Sequence, residues 1–143
     1  MTTAHTEKLR HRVAGVFLFA VDGDLYLQTG NKYGCLDISV GGHVRRGESY
    51  DKAAKREMLE EINLEVDIKH TATFLPENAK LNHFWAIYTA VAPAGWKFTE
   101  TEEVKSMEKM SPRKIFDLMA SNPDLFTHGF HNAIKNLRPD IKV

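Results

Sequence analysis

Three glutamates, Glu57, Glu60 and Glu61, fall within one short segment of this 143-residue chain. If the segment is helical, positions three and four apart share a helix face, so the three carboxylates project the same way and repel one another. A hard divalent cation such as Mg²⁺ prefers oxygen ligands and would supply the missing positive charge. The spacing therefore indicates a metal site, or else a solvated face with intrahelical ion pairs such as Arg56 with Glu60.

Residues before this segment favour the metal interpretation. The adjacent glycines Gly41 and Gly42 predict a turn in which the backbone could approach an ion or a phosphate closely. Glu48 adds a further carboxylate between this turn and the acidic segment. A solvated helix face would not need this arrangement of glycines and an outer carboxylate.

From Gly42 to Leu64 the chain reads GHVRRGESYDKAAKREMLEEINL. This stretch resembles the Nudix box, whose pattern is Gly, five residues, Glu, seven residues, Arg-Glu, an apolar residue, any residue, Glu-Glu, any residue, Gly and an apolar residue. One fixed position differs, because Asn63 replaces the late glycine. Asn is the second-best residue for the left-handed conformation just past a helix end, so we expect the carboxylates to be unaffected.

The Nudix resemblance implies an α/β (α+β) fold, an α/β/α sandwich with a mixed central sheet. It also implies hydrolysis of a nucleoside diphosphate linked to another moiety, assisted by Mg²⁺ or Mn²⁺. Such ions neutralise the diphosphate, lower the pKa of bound water and orient the leaving group. The metal ligands that the resemblance implies are the carbonyl of Gly41 and the carboxylates of Glu48, Glu57, Glu60 and Glu61.

The resemblance leaves the general base open between a glutamate of the box and one of a later loop. Glu60 is the first candidate and Glu103 the late-loop candidate. Glu57 also belongs to the expected catalytic set. Arg56 would orient the carboxylates by pairing with Glu60 or Glu48; its alternative role is a surface ion pair of small energetic value.

Other side chains could reach the substrate, although in proteins such residues are more often solvated or part of the core. Loop cations and a histidine could contact phosphates, and aromatic rings could stack on a base. These candidates are Lys32, His43, Arg45, Arg46, Tyr33, Phe74 and Trp85. His128 and His131 are spaced to share a helix face, but no Cys or His pair completes a zinc site with them.

The composition of the chain limits which binding partners and which cellular compartment we expect. Lys plus Arg equals Asp plus Glu at 19 each, so bulk electrostatics favours neither nucleic acid nor an anionic membrane. The single cysteine, Cys35, excludes an intramolecular disulfide and suits a reducing compartment. No apolar run is long enough for a membrane span, and the polar N-terminus predicts no signal peptide. We therefore expect a cytoplasmic protein acting on a small-molecule diphosphate, with a homodimer left open.

The pattern of apolar, polar and turn-forming residues predicts the strands and helices that position these residues. We expect one domain over residues 1–143, with a polar, partly flexible lead-in over residues 1–11. Asp22-Gly23 predicts a hairpin between two β-prone runs. Alternation over residues 36–40 predicts a half-buried strand, and residues 83–91 predict a strand covered on both faces.

Helices are predicted from their caps and apolar stripes. The acidic segment predicts a helix from about Ser49 to Ile62, anchored to the core by Met58, Leu59 and Ile62. Ser111-Pro112 predicts the start of a second helix, after a loop and short strand within residues 99–110. A last helix is predicted from about Phe126 to Leu137.

Two alternative functions remain open at this point. Isopentenyl-diphosphate isomerases carry a related pattern, but their catalytic cysteine stands immediately before a Gly-His pair, and Gly41 occupies that position here. A non-catalytic nucleotide-binding Nudix module is the other alternative. Degenerate members normally lose metal carboxylates, whereas this chain has lost none.

Overall fold

The computed structural model describes residues 12–29, 34–75 and 84–137. Within these ranges the chain forms six strands and three α-helices. The strands are β1 (Arg12–Phe19), β2 (Leu25–Thr29), β3 (Val40–His43), β4 (Lys69–Phe74), β5 (Phe84–Val91) and β6 (Ser106–Met110). The helices are α1 (Tyr50–Ile62), α2 (Pro112–Ser121) and α3 (His128–Leu137), with a 3₁₀ turn at Pro123–Leu125.

The six strands form one mixed sheet, in which five follow the order β4-β5-β1-β2-β6 and the sixth, β3, pairs with β1. Strands β1 and β5 run parallel, and the other pairs are antiparallel. Two strands pair with different parts of β1: β2 pairs with Leu18 and Phe19, and β3 pairs with residues 13–16. The mixed sheet that the resemblance implied is therefore confirmed, and β3 leads from its centre toward α1.

Two apolar layers cover the two faces of the sheet. Val16 and Leu18 of β1 point toward α1 and join a buried cluster with Met58. Phe17, between them, points the other way and meets Phe130 of α3 edge-to-face, with ring centroids 6.0 Å apart. Alternation with period two thus places helices on both faces, which confirms the α/β/α sandwich.

Helix α1 begins and ends as its sequence predicts. The Ser49 side chain accepts a hydrogen bond from the Lys52 backbone N–H at 3.2 Å. Asn63 adopts φ 52° and ψ 43° and donates its N–H to the Leu59 carbonyl at 3.0 Å, so it ends the helix in the left-handed conformation. The prediction that Leu59 anchors the helix is wrong: its side chain is exposed.

The strand predicted over residues 36–40 is wrong in its extent. Leu36 and Asp37 form only isolated bridges, and the regular strand β3 begins at Val40. The predicted turn at Gly41-Gly42 is also wrong, because both glycines lie inside β3, where Gly41 pairs with Gly15 of β1. Tertiary pairing with β1 extends this segment, and the local sequence does not reveal that partner.

The remaining predictions vary in accuracy. The hairpin is confirmed, with Gly23 at φ 94° in its turn. Ser111 caps α2 as predicted, by accepting from the Lys114 N–H at 3.2 Å. The last helix begins at His128, two residues later than predicted, because the Thr127 hydroxyl accepts from the Phe130 N–H at 3.1 Å and caps it.

Some predictions fall on segments outside the described residues: the lead-in 1–11, Lys32, Tyr33, the first residue of the strand over 83–91 and the turn before it. The part of that strand that the structure describes is confirmed as β5. No helix among the described residues has the length and apolar character to span a membrane.

Candidate functional site

Three carboxylates converge at the C-terminal half of α1. Glu57 and Glu61 come from the helix, and Glu103 comes from the loop before β6. One oxygen from each lies within 4.8 Å of the others. Like charges this close repel, and an all-oxygen donor set fits a hard divalent cation such as Mg²⁺ or Mn²⁺. We call these three residues the carboxylate cluster.

Glu61 is the buried member of the cluster. Its Oε1 atom accepts from the Gln28 side-chain amide at 2.7 Å and faces the Gly41 N–H at 3.4 Å. Burial, together with the neighbouring Glu57 carboxylate, raises the pKa of Glu61 well above its ordinary value. The ionised form of this group therefore needs a nearby positive charge.

Gly42 makes room for Glu57. A Cβ atom at position 42 would overlap the Glu57 carboxylate, so any larger residue there would force this carboxylate to move. A Cβ atom at the neighbouring Gly41 would meet the Ile38 side chain at 3.4 Å and the Ala14 carbonyl oxygen at 3.9 Å, both ordinary contacts. Gly42 thus serves close approach within a strand rather than a turn.

Arg56 holds several box residues together. Its Nε and Nη2 atoms donate to the two oxygens of Glu48 at 2.8 and 3.0 Å. Its Nη1 atom donates to Glu57 at 2.6 Å and to Glu60 at 3.2 Å, and Nη2 also reaches the His43 carbonyl at 3.1 Å. The guanidinium beside Glu48 lowers the pKa of that carboxyl to about 2. Glu48 is therefore a fixed anion that orients Arg56.

The structure does not bring Glu48 or Glu60 into the carboxylate cluster. Both oxygens of Glu48 face Arg56, and one also accepts from the Arg45 N–H at 2.9 Å. Glu60 faces Arg56 and lies 3.7 Å from the Arg45 guanidinium. The metal-ligand roles of these two glutamates remain predictions.

Thr101 anchors the loop that carries Glu103. Its hydroxyl donates to the Glu61 carbonyl at 2.6 Å and accepts from the Val104 N–H at 3.1 Å. The Thr101 N–H donates to the Val104 carbonyl at 3.0 Å, and the Val104 side chain is buried. Glu103 is therefore held beside the end of α1.

Sequence reasoning missed Thr101 and Gln28. Thr101 contacts a residue 40 positions earlier, and Gln28 contacts one 33 positions later. A polar residue on a strand or in a loop carries no local signal of such a partner.

A cavity of about 330 Å³ shares Gln28, Gly41 and Gly42 with the surroundings of Glu57 and Glu61. Its lining includes Gln28, Asp37, Gly42, Trp85, Thr127 and Gly129. Two of the residues predicted to contact substrate, His43 and Trp85, line it as well, and the Phe74 ring lies 6.2 Å from that of Trp85.

Other predicted residues do not line this cavity. Arg46 and His128 are exposed, and a ring nitrogen of His131 lies 2.8 Å from the Pro123 carbonyl. A larger depression of about 1080 Å³ opens near Lys69 and Val91, and it shares none of its described lining residues with the smaller cavity.

Comparison with known proteins identifies the fold and the family. Residues 9–129 match the family model of the NUDIX domain. A Nudix hydrolase of Deinococcus radiodurans is 36% identical over 120 residues, covering 78% of this chain and 70% of that protein. An isopentenyl-diphosphate Delta-isomerase of Serratia proteamaculans is 30% identical over 149 aligned residues, covering 95% and 81% respectively.

Solved structures agree with this result. A crystal structure from Deinococcus radiodurans superposes with a TM-score of 0.66 at 28% identity, covering 80% of this chain and 75% of that one. An ADP compounds hydrolase gives a TM-score of 0.68 at 21% identity, covering 90% and 71%, and supports the fold alone. From the domain match over most of its length and the Deinococcus relative, this chain belongs to the Nudix family.

Proposed function

We propose that this protein is a divalent-metal-dependent hydrolase that cleaves a diphosphate linkage in a nucleoside diphosphate linked to another moiety. The observation that carries the proposal is the convergence of Glu57, Glu61 and Glu103 within 4.8 Å. Three carboxylates in this arrangement are costly without a cation and suit Mg²⁺ or Mn²⁺. Membership of the Nudix family supports a hydrolase.

Each residue of the site has a distinct role in this proposal. Glu57 and Glu61 bind the metal, with the Gly41 carbonyl as a further ligand. When bound, the metal neutralises the diphosphate and lowers the pKa of a coordinated water. Arg56 orients Glu57 through their 2.6 Å hydrogen bond, and Glu48 fixes Arg56 in turn.

We assign the general base to Glu103 rather than to Glu60. The Glu103 side chain is exposed, so water can reach it, and it lies beside the two helical carboxylates. Glu60 is held by Arg56 at 3.2 Å, outside the cluster. Glu103 would accept the proton of the water that attacks phosphorus.

The isomerase relatives favour a second candidate function, which the site supports less well. Residue 41, immediately before the Gly42-His43 pair, is glycine and offers no thiol. The Cys35 thiol points elsewhere, donating to the Asp124 carbonyl at 3.5 Å. A non-catalytic module is also disfavoured, because every carboxylate of the box is present.

A substrate panel tests the proposal. Nucleoside and non-nucleoside diphosphate compounds are incubated with Mg²⁺ or Mn²⁺, and released phosphate or nucleoside monophosphate is measured. We expect metal-dependent turnover that Glu57→Gln abolishes, while Glu108→Gln, an exposed carboxylate on β6, serves as the matched control and keeps it. Isomerisation of isopentenyl diphosphate without hydrolysis, or tight binding without turnover, would contradict the proposal.

A separate comparison of two variants tests whether Glu103 is the general base. Loss of a general base lowers kcat by roughly 10²–10⁴-fold. We expect Glu103→Gln to show such a loss with little change in metal affinity, and Glu60→Gln a smaller one. A larger loss of kcat in Glu60→Gln than in Glu103→Gln would indicate that Glu60 is the general base.

A further inference from the structure

The side-chain amide of Gln28 joins the sheet to the carboxylate cluster. Gln28 lies on β2, and its Nε2 atom donates to the Ser39 carbonyl at 2.9 Å and to Glu61 Oε1 at 2.7 Å. An amide nitrogen carries two hydrogens, so both of its donors are used. Ser39 lies just before β3 and Glu61 lies on α1, and the amide therefore holds the Glu61 carboxylate against the sheet.

The surroundings of Gln28 fix which end of its amide faces Glu61. The backbone of Gln28 exchanges two 3.0 Å hydrogen bonds with Asp37. The Ser39 carbonyl can only accept a hydrogen bond, so the nitrogen of the amide, and not its oxygen, must face it. Ser39 is itself completely buried, and its hydroxyl accepts from the Leu18 N–H at 2.8 Å. Glu61 therefore always meets a donor at this position.

Gln28 engages one of the two oxygens of Glu61. The Oε1 atom accepts from Gln28 and also faces the Gly41 N–H at 3.4 Å, so the positive ends of two dipoles point at this oxygen and repel a cation. Within the described residues, no hydrogen-bond donor contacts Oε2. Oε2 is thus the oxygen that Glu61 can offer to a metal ion.

Glu57 is restricted in a similar way. Its Oε1 atom accepts from the Arg56 guanidinium at 2.6 Å, which is a short, charge-assisted hydrogen bond. Each of the two cluster carboxylates on α1 therefore has one oxygen engaged by another side chain of the protein.

The number of oxygens that a carboxylate offers discriminates between divalent cations. Ca²⁺ takes about six to eight oxygen ligands in a flexible geometry, and it can bind both oxygens of one carboxylate. Mg²⁺ is smaller, demands a near-octahedral geometry and keeps several waters beside one or two carboxylates. A site whose carboxylates offer one oxygen each therefore suits the smaller ion.

We propose that Gln28 is a positioning residue that restricts Glu61 to one ligand oxygen and thereby makes the carboxylate cluster select Mg²⁺ over Ca²⁺. This inference rests on the proposed function in one respect, namely that Glu61 binds the metal ion. It adds a determinant of metal selectivity that lies on β2, outside the sequence motif.

Calorimetric titration of the metal-free full chain with Mg²⁺ and with Ca²⁺ tests the inference without measuring activity. Gln28→Met keeps the length of the side chain but has no N–H, so both oxygens of Glu61 become available. We expect the ratio of the Ca²⁺ to the Mg²⁺ dissociation constant to fall roughly tenfold, since residues that orient metal ligands change metal affinity by about 10–100-fold. A merely structural role for Gln28 would weaken both ions alike and leave this ratio unchanged.

Two further variants make the titration decisive. Gln28→Asn has an amide that is one methylene shorter and cannot span Ser39 and Glu61, so it should shift the ratio in the same direction even if Gln28→Met does not fold. Ser39→Ala is the control for lost stability at the same place. It removes the hydroxyl that accepts from Leu18 but keeps the carbonyl that accepts from Gln28, so it should unfold more easily and keep the wild-type ratio.

The outcomes separate this inference from the proposed function. A wild-type ratio in both Gln28 variants, or an equal shift in Ser39→Ala, would overturn the role of Gln28; normal metal-dependent turnover in the wild type would then leave the hydrolase proposal standing. Mg²⁺ selectivity that depends on Gln28, in a protein without turnover, would refute the hydrolase proposal and support the inference. Absence of any divalent cation binding by the wild type would overturn both.

Discussion

Gly42 and Arg56 control the position of the Glu57 carboxylate from two sides. The glycine leaves the space that the carboxylate occupies, and the guanidinium donates to it at 2.6 Å. Both residues belong to the sequence motif, yet neither needs to touch a metal ion. Their spacing in the chain predicted an association with the site, whereas their physical roles became visible only from the packing of β3 against α1.

At residue scale, Gly42→Ala should displace Glu57. Its added methyl group competes for the space of the carboxylate, so we expect metal affinity to fall by roughly tenfold to a hundredfold, as for other residues that orient metal ligands. Glu65→Gln, which changes an exposed residue just beyond α1 and outside the site, is the control. Calorimetric titration with Mn²⁺ measures both variants, and equal affinities would show that the space at Gly42 is unimportant.

A second residue-scale prediction concerns pH. The pKa of Glu48 is lowered from 4.5 to about 2, so its ionised form stabilises the folded state. That contribution is complete above the unfolded-state pKa and is lost as the pH falls through the folded-state value. The difference in free energy of unfolding between wild type and Glu48→Gln should therefore be largest above about pH 5 and shrink toward pH 2. Urea unfolding across this range measures it, and a difference independent of pH would contradict the ion pair with Arg56.

At the scale of elements, α1 was predictable and β3 was not. The helix carries its own signals, a Ser49 cap, an apolar stripe and Asn63 at its end, and all of them act within a few residues. Strand β3 depends on pairing with β1, some 25 positions earlier, so its glycines resembled a turn. Asn63 fills the family's glycine position at φ 52°, which explains why the substitution leaves α1 intact.

The loop that carries Glu103 yields the element-scale prediction. Thr101→Val removes the hydroxyl that joins this loop to the Glu61 carbonyl, at a cost of about 1 kcal/mol in stability. We expect a decrease in kcat larger than this stability loss would cause, because Glu103 is no longer held beside α1. Thr101→Ser keeps the hydroxyl and should restore kcat. If valine and serine variants have the same kcat, the hydroxyl does not position Glu103.

At the scale of the whole molecule, helices on the two faces of the sheet contribute different residues to the site. Helix α1 on one face supplies two cluster carboxylates, and α3 on the other face supplies the wall behind Trp85. Gln28 of β2 links the two faces, because its side-chain amide donates to Glu61 at 2.7 Å and the residue also lines the 330 Å³ cavity.

The sequence motif could predict the glutamates that α1 contributes, because the residues of the motif lie close together in the chain. Glu103 entered only through the family resemblance, as the late-loop candidate. Gln28, Thr101 and Asp37 could not be predicted, because their contacts join segments that are distant in sequence. The motif alone therefore leaves the substrate open.

We propose that Glu61 and its neighbours bind a catalytic divalent cation, and one titration tests this most directly. Mn²⁺ binding and diphosphate hydrolysis are measured together for wild type, for Glu61→Gln and for Glu65→Gln, an exposed control just beyond α1. We predict that hydrolysis rises in parallel with metal saturation in wild type and in the control, and that Glu61→Gln remains folded but loses both. Wild-type metal affinity and turnover in Glu61→Gln would contradict the account.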